Sequence, residues 1–193
     1  MNNTIALNRE LINSRASNAV IGVAFFILAT ALGAYVRIPV PGTPVPITLQ
    51  TFFVVLSGAA LGKRLGILSQ AGYIFLGALG FPVFQGYSFG IAHIFGPTGG
   101  YLAGFMAASY ITGKMLENKN AGLLKIIASF ATGNAALYTL GVLWLMLIYR
   151  ISIINAVAIG VLPFVAVEAA KIFIAAFIYR KIADRSRNIF SQR

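Results

Sequence analysis

The chain has 193 residues, of which 59% are hydrophobic and only 10% are charged. A soluble globular domain carries about 25% charged residues, so this composition predicts an integral membrane protein. It has no cysteine, one histidine and four acidic residues. These counts exclude disulfides and thiolate metal sites, leave too few ligands for an ordinary metal centre, and predict no cofactor.

Apolar stretches recur along the chain at membrane-spanning lengths. We predict an all-α integral membrane protein, a single domain over residues 1–193 that forms a bundle of six transmembrane helices. A polar lead-in over residues 1–18 precedes the first span. The last span is expected to begin with a broken or tilted segment that ends near Pro163. The predicted spans are residues 19–36, 47–61, 65–80, 98–113, 126–149 and 155–179.

The first loop, residues 38–46, contains four of the seven prolines. Proline fixes φ and removes an amide donor, so this loop is expected to be extended and stiff, as a spacer or as a lid. The next turn, Gly62-Lys63-Arg64, faintly resembles a phosphate-binding loop. The spacing from Gly58 is one residue short and Arg64 replaces the magnesium ligand, so no nucleotide site is predicted there.

An aromatic and glycine-rich segment, residues 81–95, follows the third span and contains no basic residue. Its lack of positive charge predicts that it lies outside the cell. The next residues, Gly96-Pro97-Thr98-Gly99-Gly100, open the fourth span. Two interpretations remain open: the amides around Gly99 and Gly100 are free to bind an anion, or the glycines allow close helix packing.

Basic residues are distributed unequally between the two ends of the predicted bundle. Twelve of the fifteen fall in segments that the six spans place on one side, only Arg37 and Arg150 fall on the other, and Lys171 is within a span. The positive-inside rule therefore predicts both termini in the cytoplasm. It also accounts for the net charge of +11 without nucleic-acid binding. The twelve are Arg9, Arg15, Lys63, Arg64, Lys114, Lys119, Lys125, Arg180, Lys181, Arg185, Arg187 and Arg193.

Glu168 and Lys171 are the charged side chains of the last span, and three-residue spacing places them on one helix face. An ionisable pair at membrane depth is either a structural lock between helices or part of a functional site. Asn134 and Tyr138, four residues apart in the fifth span, also share a face. These groups are suitable for a pocket that binds a polar, partly apolar small molecule.

Other function classes have weaker support in the sequence. Gly86-Tyr87-Ser88-Phe89-Gly90 matches the serine-hydrolase pattern, with His93 nearby, but no strand-to-helix turn or orienting acid is evident. A small-solute channel would need a filter-like sequence, and a secondary transporter would normally show matched internal repeats. Neither feature is evident.

Several motifs together closely resemble the BioY biotin-uptake family. They are Arg37-Ile38-Pro39, Pro44-Val45-Pro46-Ile47-Thr48-Leu49-Gln50, Leu79-Gly80-Phe81-Pro82-Val83-Phe84 and Gly96-Pro97-Thr98-Gly99-Gly100-Tyr101. The resemblance implies a non-enzymatic, biotin-binding S component of an energy-coupling-factor (ECF) transporter in a bacterial plasma membrane. It further implies a six-helix fold, a pocket near the outer face with the first loop as a lid, and a transmembrane coupling protein with two ATPases as partners. This chain has Glu168 where the family usually has aspartate.

Combining the resemblance with biotin chemistry predicts a set of ligand-binding residues. Glu168 is expected to accept from a ureido N–H, and Lys171 to neutralise Glu168 and donate to a ligand oxygen. Amides at Gly99 and Gly100, with Ser88 or His93 nearby, are expected to bind the carboxylate. The remaining predicted contacts are polar groups at Asn134, Tyr138 and Gln50, apolar walls from Tyr73, Phe84, Tyr87 and Tyr101, and a lid at Pro41, Gly42, Thr43 and Pro44.

Overall fold

The structure is a computed structural model that describes residues 2–117 and 121–190. Most of its regular structure is helical. Lys119 and Arg193, on which the topology prediction drew, lie outside these residues, as do the side chains of Arg9 and Arg187. The elements are α1 (Asn2–Tyr35), β1 (Arg37–Ile38), β2 (Ile47–Thr48), α2 (Gln50–Ala78), a 3₁₀ turn (Gln85–Tyr87), α3 (Ile91–Ile94), α4 (Gly99–Met115), α5 (Leu123–Tyr149), α6 (Ile153–Gly160), a second 3₁₀ turn (Leu162–Phe164) and α7 (Val165–Phe190).

Helix α2 folds back on itself at Gly62, where φ is +80° and ψ is 172°. Near one end of the fold, Gln50 Nε2 donates to the Tyr73 hydroxyl at 2.6 Å, and nearer the turn Gln70 Nε2 donates to Ser57 Oγ at 3.1 Å. The midpoint of each pair in the sequence lies close to Gly62. Contacting pairs that share a midpoint indicate an antiparallel hairpin. Residues 50–61 and 63–78 are therefore two arms, joined at a backbone conformation that is essentially restricted to glycine.

Close backbone approach holds the hairpin against α4. A Cβ added at Gly58 would lie 2.1 Å from the Ser109 carbonyl oxygen, so only glycine permits this contact. Ser57 and Ser109 share a hydrogen bond of 3.0 Å beside it. Small residues and internally satisfied hydroxyls are the usual means by which helices associate in a membrane, where burial from water supplies no driving force.

The helix boundaries differ from the predicted spans in several places. Helix α1 begins at Asn2 rather than at residue 19, and residues 47–48 pair with β1 instead of opening α2. The stretch predicted at residues 155–179 is interrupted: α6 ends at Gly160, and the 3₁₀ turn containing Pro163 precedes α7. Proline is compatible with the first turn of a helix but not with its interior, which explains the break.

Four helical stretches among the described residues are long and apolar enough to cross a membrane, namely Arg15–Tyr35, Gln50–Ala78, Leu123–Tyr149 and Ile153–Ser186. Because Gln50–Ala78 is folded at Gly62, each of its arms is shorter than the ~20 residues that cross a bilayer core of ~30 Å. The protein is a multi-pass helical membrane protein.

The bundle has two chemically different ends. One end contains the hairpin turn, where Lys63 pairs with Glu117 at 2.7 Å and Ser186 donates to the Ala60 carbonyl. The other end contains the β1–β2 pair, the segment between α2 and α4, and α6. An apolar cluster at this second end surrounds the residues considered below; it includes Tyr73, Phe84, Tyr101, Leu137 and Phe164.

The backbone conformation at Gly62 predicts a specific sensitivity. Gly62→Ser should lower the free energy of unfolding by about 1–3 kcal/mol, because a side chain is strained at this φ and ψ even though the surrounding space is open. Thermal unfolding in detergent measures the effect. The matched control is Gly122→Ser, at an N-cap with φ −62° and open space, where serine is a good capping residue. Equal stability of the two variants would contradict the prediction.

Candidate functional site

Glu168 and Lys171 form a direct ion pair in the first turns of α7. Both residues are more than nine-tenths buried. The Thr51 hydroxyl, from the start of α2, donates to Glu168 Oε1 at 3.0 Å and accepts from Lys171 Nζ at 2.6 Å. Two charges buried in an apolar bundle are stable only when their remaining hydrogen-bonding capacity is used, and Thr51 supplies part of it.

Lys171 uses its donors entirely within the protein. Its ammonium group donates to Glu168 Oε1, to Thr51 Oγ1 and, at 2.9 Å, to the Thr48 carbonyl oxygen at the end of β2. A lysine ammonium has three donors, so none is left for a ligand oxygen in this arrangement. The ion pair with Glu168 is the one expected for Lys171. Its donation to a ligand oxygen, which would have to replace one of these three contacts, stays a prediction. Lys171 positions the carboxylate and anchors the end of the first loop.

Asn134 approaches Glu168 from α5. Its Nδ2 donates to Glu168 Oε2 at 2.9 Å, whereas its Oδ1 is buried and has no hydrogen-bond partner within the described ranges. Rotating the amide would place two acceptors against each other, so the carboxylate determines which amide atom is left over. The Tyr138 hydroxyl, one turn further along α5, also interacts with Glu168. An unpaired buried acceptor beside a carboxylate favours a ligand that donates hydrogen bonds.

A pocket opens above this network. Its empty volume, counted together with the open mouth, is about 460 Å³. Polar side chains face each other across apolar walls, which is the lining expected for an amphiphilic ligand. The lining residues are Val45, Pro46, Ile47, Thr48, Gln50, Thr51, Gln85, Thr98, Tyr101, Leu102, Phe105, Leu137, Tyr138, Phe164 and Glu168.

Four of the predicted site residues line this pocket: Gln50, Tyr101, Tyr138 and Glu168. Tyr73 lies behind Gln50, and its hydroxyl accepts a hydrogen bond from the Gln50 amide. Tyr73 therefore supports the pocket wall without being part of it. The Tyr101 hydroxyl donates to the Gly160 carbonyl at 2.8 Å and ties α6 to the pocket. Their contacts with a ligand stay a prediction.

Phe84, Tyr87, Ser88 and His93 lie outside the pocket lining. Phe84 is fully buried, with its ring stacked on His93 at 4.7 Å between centroids. Tyr87, which has a φ of +60°, is 67% exposed and packs on Tyr35. Ser88 Oγ donates to the Gln85 carbonyl at 2.7 Å. Tyr87 therefore packs on α1, and the other three make contacts within the segment between α2 and α4. Their contacts with a ligand stay a prediction.

The same geometry argues against hydrolase chemistry at Ser88. In the described part of the chain, Ser88 and His93 share no hydrogen bond; His93 Nε2 instead lies 3.4 Å from Thr98 Oγ1. Partial burial lowers the pKa of His93 below its ordinary value, so the imidazole is neutral near pH 7. The nucleophile and base of a triad would need to face each other.

Gly99 and Gly100 lie in close contact with neighbouring residues, and their predicted contact with a ligand carboxylate stays a prediction. The Gly99 amide already donates to the Gly96 carbonyl at 3.0 Å. A Cβ at Gly99 would lie 2.0 Å from the Ile94 carbonyl oxygen, and one at Gly100 would lie 2.2 Å from Trp144 Cβ. The start of α4 is therefore pressed against its neighbours, as the alternative interpretation of these glycines requires.

The first loop reaches the pocket through its second half. Pro41, Gly42 and Pro44 are exposed at the tip, and Thr43 is partly buried, with Oγ1 accepting from the Val45 amide at 3.1 Å. The residues that line the pocket are the following four, Val45 to Thr48. This shifts the covering part of the predicted lid by a few residues towards α2.

Several lining residues were not predicted: Thr48, Thr51, Gln85 and Thr98 are the polar ones, and Val45, Pro46 and Phe164 are among the apolar ones. Thr51 had a signal, because it closes a polar group with Thr48 and Gln50 at the start of an apolar span. Gln85 and Thr98 are uncharged polar residues with no distinctive spacing in the sequence. Only the fold of residues 81–98 brings Gln85 Nε2 within 3.2 Å of Thr98 Oγ1.

The bundle and its amphiphilic pocket define a membrane protein that holds a small molecule between its helices. Comparison with known proteins identifies its family: the BioY family model matches residues 4–188. The chain belongs to the BioY family. Relatives named probable biotin transporter BioY in Pyrococcus horikoshii and biotin transporter BioY in Thermotoga maritima are 41% and 39% identical. The matches cover 83% and 82% of this chain, and 93% and 91% of those relatives.

A solved structure shares the fold. The crystal structure of the S-component for biotin from an ECF-type ABC transporter superposes with a TM-score of 0.78 at 23% identity. The match covers 92% of this chain and 94% of that one. The relatives are named as biotin transporters, so the names of these similar proteins describe transport and not catalysis.

Breaking the buried pair should be costly. Lys171→Met should lower the free energy of unfolding by about 3–5 kcal/mol, since it leaves the Glu168 carboxylate buried without a counter-charge. The double variant Glu168→Gln/Lys171→Met should recover most of that loss, as measured by thermal unfolding in detergent. Lys63→Met, which breaks the more exposed pair with Glu117, is the control and should cost at most about 1 kcal/mol. A Lys171→Met loss no larger than this control would contradict the buried-pair argument.

Proposed function

We propose that this protein is the biotin-binding S component of an ECF-type transporter, and that it captures biotin in the pocket above Glu168. The family match supports the transport class, and the relatives named as biotin transporters supply the substrate. The observation that carries the proposal from geometry is the unpaired, buried Asn134 Oδ1 beside the Glu168 carboxylate.

Biotin matches the two kinds of surface in the pocket. Its ureido ring has two N–H donors and a carbonyl acceptor, its thiophane ring is apolar, and its valerate chain ends in a carboxylate. The ureido N–H groups would donate to Glu168 and Asn134 Oδ1, which satisfies the unpaired acceptor. Phe105, Leu137 and Phe164 supply apolar surface suitable for the thiophane ring.

The proposed topology is six crossings with both termini in the cytoplasm of a bacterial cell. The described basic residues support this orientation: Arg15, Lys63, Arg64, Lys114, Lys125, Arg180, Lys181 and Arg185 flank the hairpin-turn end, and Arg37 and Arg150 flank the pocket end. The two arms of α2 each serve as one crossing. They are shorter than the bilayer core, and the loop that lines the pocket fills the remaining depth, because irregular backbone is tolerated in a membrane where it lines a cavity.

An energising module is part of the proposal. The fold neighbour is the S-component of an ECF-type ABC transporter, which supports partnership with a transmembrane coupling protein and two ATPase subunits. The residues that faintly resembled a phosphate loop, 58–64, form the hairpin turn, with Gly58 packed on Ser109. ATP hydrolysis is therefore assigned to the partners.

Biotin binding to the purified protein tests the site. Glu168→Gln and Asn134→Leu should each weaken affinity roughly tenfold or more, because each removes an acceptor for a buried ligand donor. Isothermal titration measures both. Thr139→Val on the same helix is the matched control, since the Thr139 hydroxyl donates to its own backbone at Ala135 and should not affect affinity. Unchanged affinity in both site variants would exclude this pocket as the biotin site.

The partner proposal has its own test. Affinity purification of the tagged full-length chain from its native membrane in mild detergent should recover a membrane coupling protein and ATPase subunits, identified by mass spectrometry and by biotin-dependent ATPase activity. An unrelated tagged membrane protein is the control. Biotin uptake by proteoliposomes that contain this chain alone, at a rate equal to that of the assembled complex, would contradict the requirement for partners.

A further inference from the structure

The pocket end of the bundle has an unbalanced charge distribution. Glu168 is the acidic residue there, and it is neutralised by Lys171; Glu117 pairs with Lys63 at the opposite end. Arg37 lies at the pocket end and, among residues 2–117 and 121–190, has no ion-pair partner. A cation beside a binding pocket, with no carboxylate of the protein to pair with, is suited to an anionic ligand group.

The base of the Arg37 side chain lies next to the pocket. Arg37 is directly opposite Thr48 in the antiparallel β1–β2 pair, and Thr48 lines the pocket. Residues directly opposite each other in such a pair project to the same face, with Cβ atoms about 4.5–5.5 Å apart. The Arg37 side chain therefore leaves the β1–β2 pair on the same face as the side chain of Thr48.

The far end of the side chain also reaches a pocket-lining segment. A Cβ added at Gly86 would lie 2.7 Å from Arg37 Nη1, so the guanidinium rests against the backbone of the 3₁₀ turn Gln85–Tyr87. Gly86 has φ +69°, a conformation natural for glycine, and the missing side chain leaves space for the guanidinium. The preceding residue, Gln85, lines the pocket.

The wall beside Arg37 presents neutral hydrogen-bonding groups. Gln85 Nε2 donates to Thr98 Oγ1 at 3.2 Å, and both side chains line the pocket. His93 lies behind Thr98, at 3.4 Å, and is neutral near pH 7 because partial burial lowers its pKa. Lys171 uses its donors on Glu168, Thr51 and Thr48. Arg37 is therefore the positive charge available to a ligand at this wall.

We propose that Arg37, with Gln85 and Thr98, binds the carboxylate of the ligand at the mouth of the pocket. This inference rests on the proposed function and adds the orientation of the ligand: the ureido ring lies at Glu168, and the valerate chain points towards Arg37. The opposite orientation would place the ligand carboxylate against the Glu168 carboxylate, which like-charge repulsion disfavours. Guanidinium groups bind carboxylates well because their planar donors match both carboxylate oxygens.

The test compares biotin with biotinamide, which keeps the ureido and thiophane rings but has no negative charge. Arg37→Gln should weaken biotin binding roughly ten- to a hundredfold and change biotinamide binding by less than about twofold. Arg150→Gln is the matched control: it removes the other arginine at the pocket end, which lies at the C-cap of α5 and not in the β1–β2 pair. It should leave both affinities unchanged.

Each outcome decides between roles. An equal loss for both ligands in Arg37→Gln would assign Arg37 to the fold of the first loop and overturn the proposal, as would no loss for biotin. If Arg37→Gln is not recovered as a folded protein, the salt dependence of binding is measured on the unmodified protein. Raising the ionic strength should weaken biotin binding and not biotinamide binding. Equal salt dependence for the two ligands would overturn the proposal. Absence of biotin binding by the unmodified protein would instead contradict the proposed function itself, before any variant is measured.

Discussion

The buried ion pair of Glu168 and Lys171 is the interaction on which the pocket depends. Desolvating two charges costs several kcal/mol per ion, and the cost is offset only if their remaining hydrogen-bonding capacity is used. Here the partners come from three other parts of the chain: Thr51 in α2, the Thr48 carbonyl in the first loop and Asn134 in α5. The pair therefore draws α2, α5, α7 and the loop together, and the pocket is the space that this convergence leaves above it.

The hairpin at Gly62 makes that convergence possible. It brings residues 50–61 back against residues 63–78, so that Gln50 and Thr51 reach the same end of the bundle as Tyr73 and the segment after α2. Glycine contacts with α4 and hydroxyl pairs such as Ser57 with Ser109 hold the hairpin in place. These contacts are short-range and steric, which suits a membrane environment where apolar surface gains little from burial between helices.

Charge separation across the pocket gives the ligand a direction. Glu168 at the floor, with the unpaired Asn134 Oδ1 close to it, favours a donor-rich group, and an unpaired guanidinium at Arg37 beside the mouth favours an anion. In the proposed function, the ureido and carboxylate ends of biotin meet these two surfaces. Lys171 lies beside Glu168 and directs its three donors to Glu168, Thr51 and Thr48, which stabilises the acid and the end of β2.

The sequence by itself determined the membrane class and the shared face of Glu168 and Lys171, because composition and helical periodicity are local properties. Its motifs carried the resemblance to the BioY family. It also marked Gln50, Asn134, Tyr138 and Tyr101 as polar or aromatic groups in apolar spans. Only the tertiary structure decided how these groups are used: Thr51 meets Glu168 across 117 positions of the chain, and Lys171 meets Thr48 across 123. Packing also placed Gly99 against Ile94 and Gly100 against Trp144, and it placed Gln85 and Thr98 in the pocket lining. Spacing along a helix specifies which face a donor is on, whereas its availability to a ligand depends on what the rest of the fold places against it.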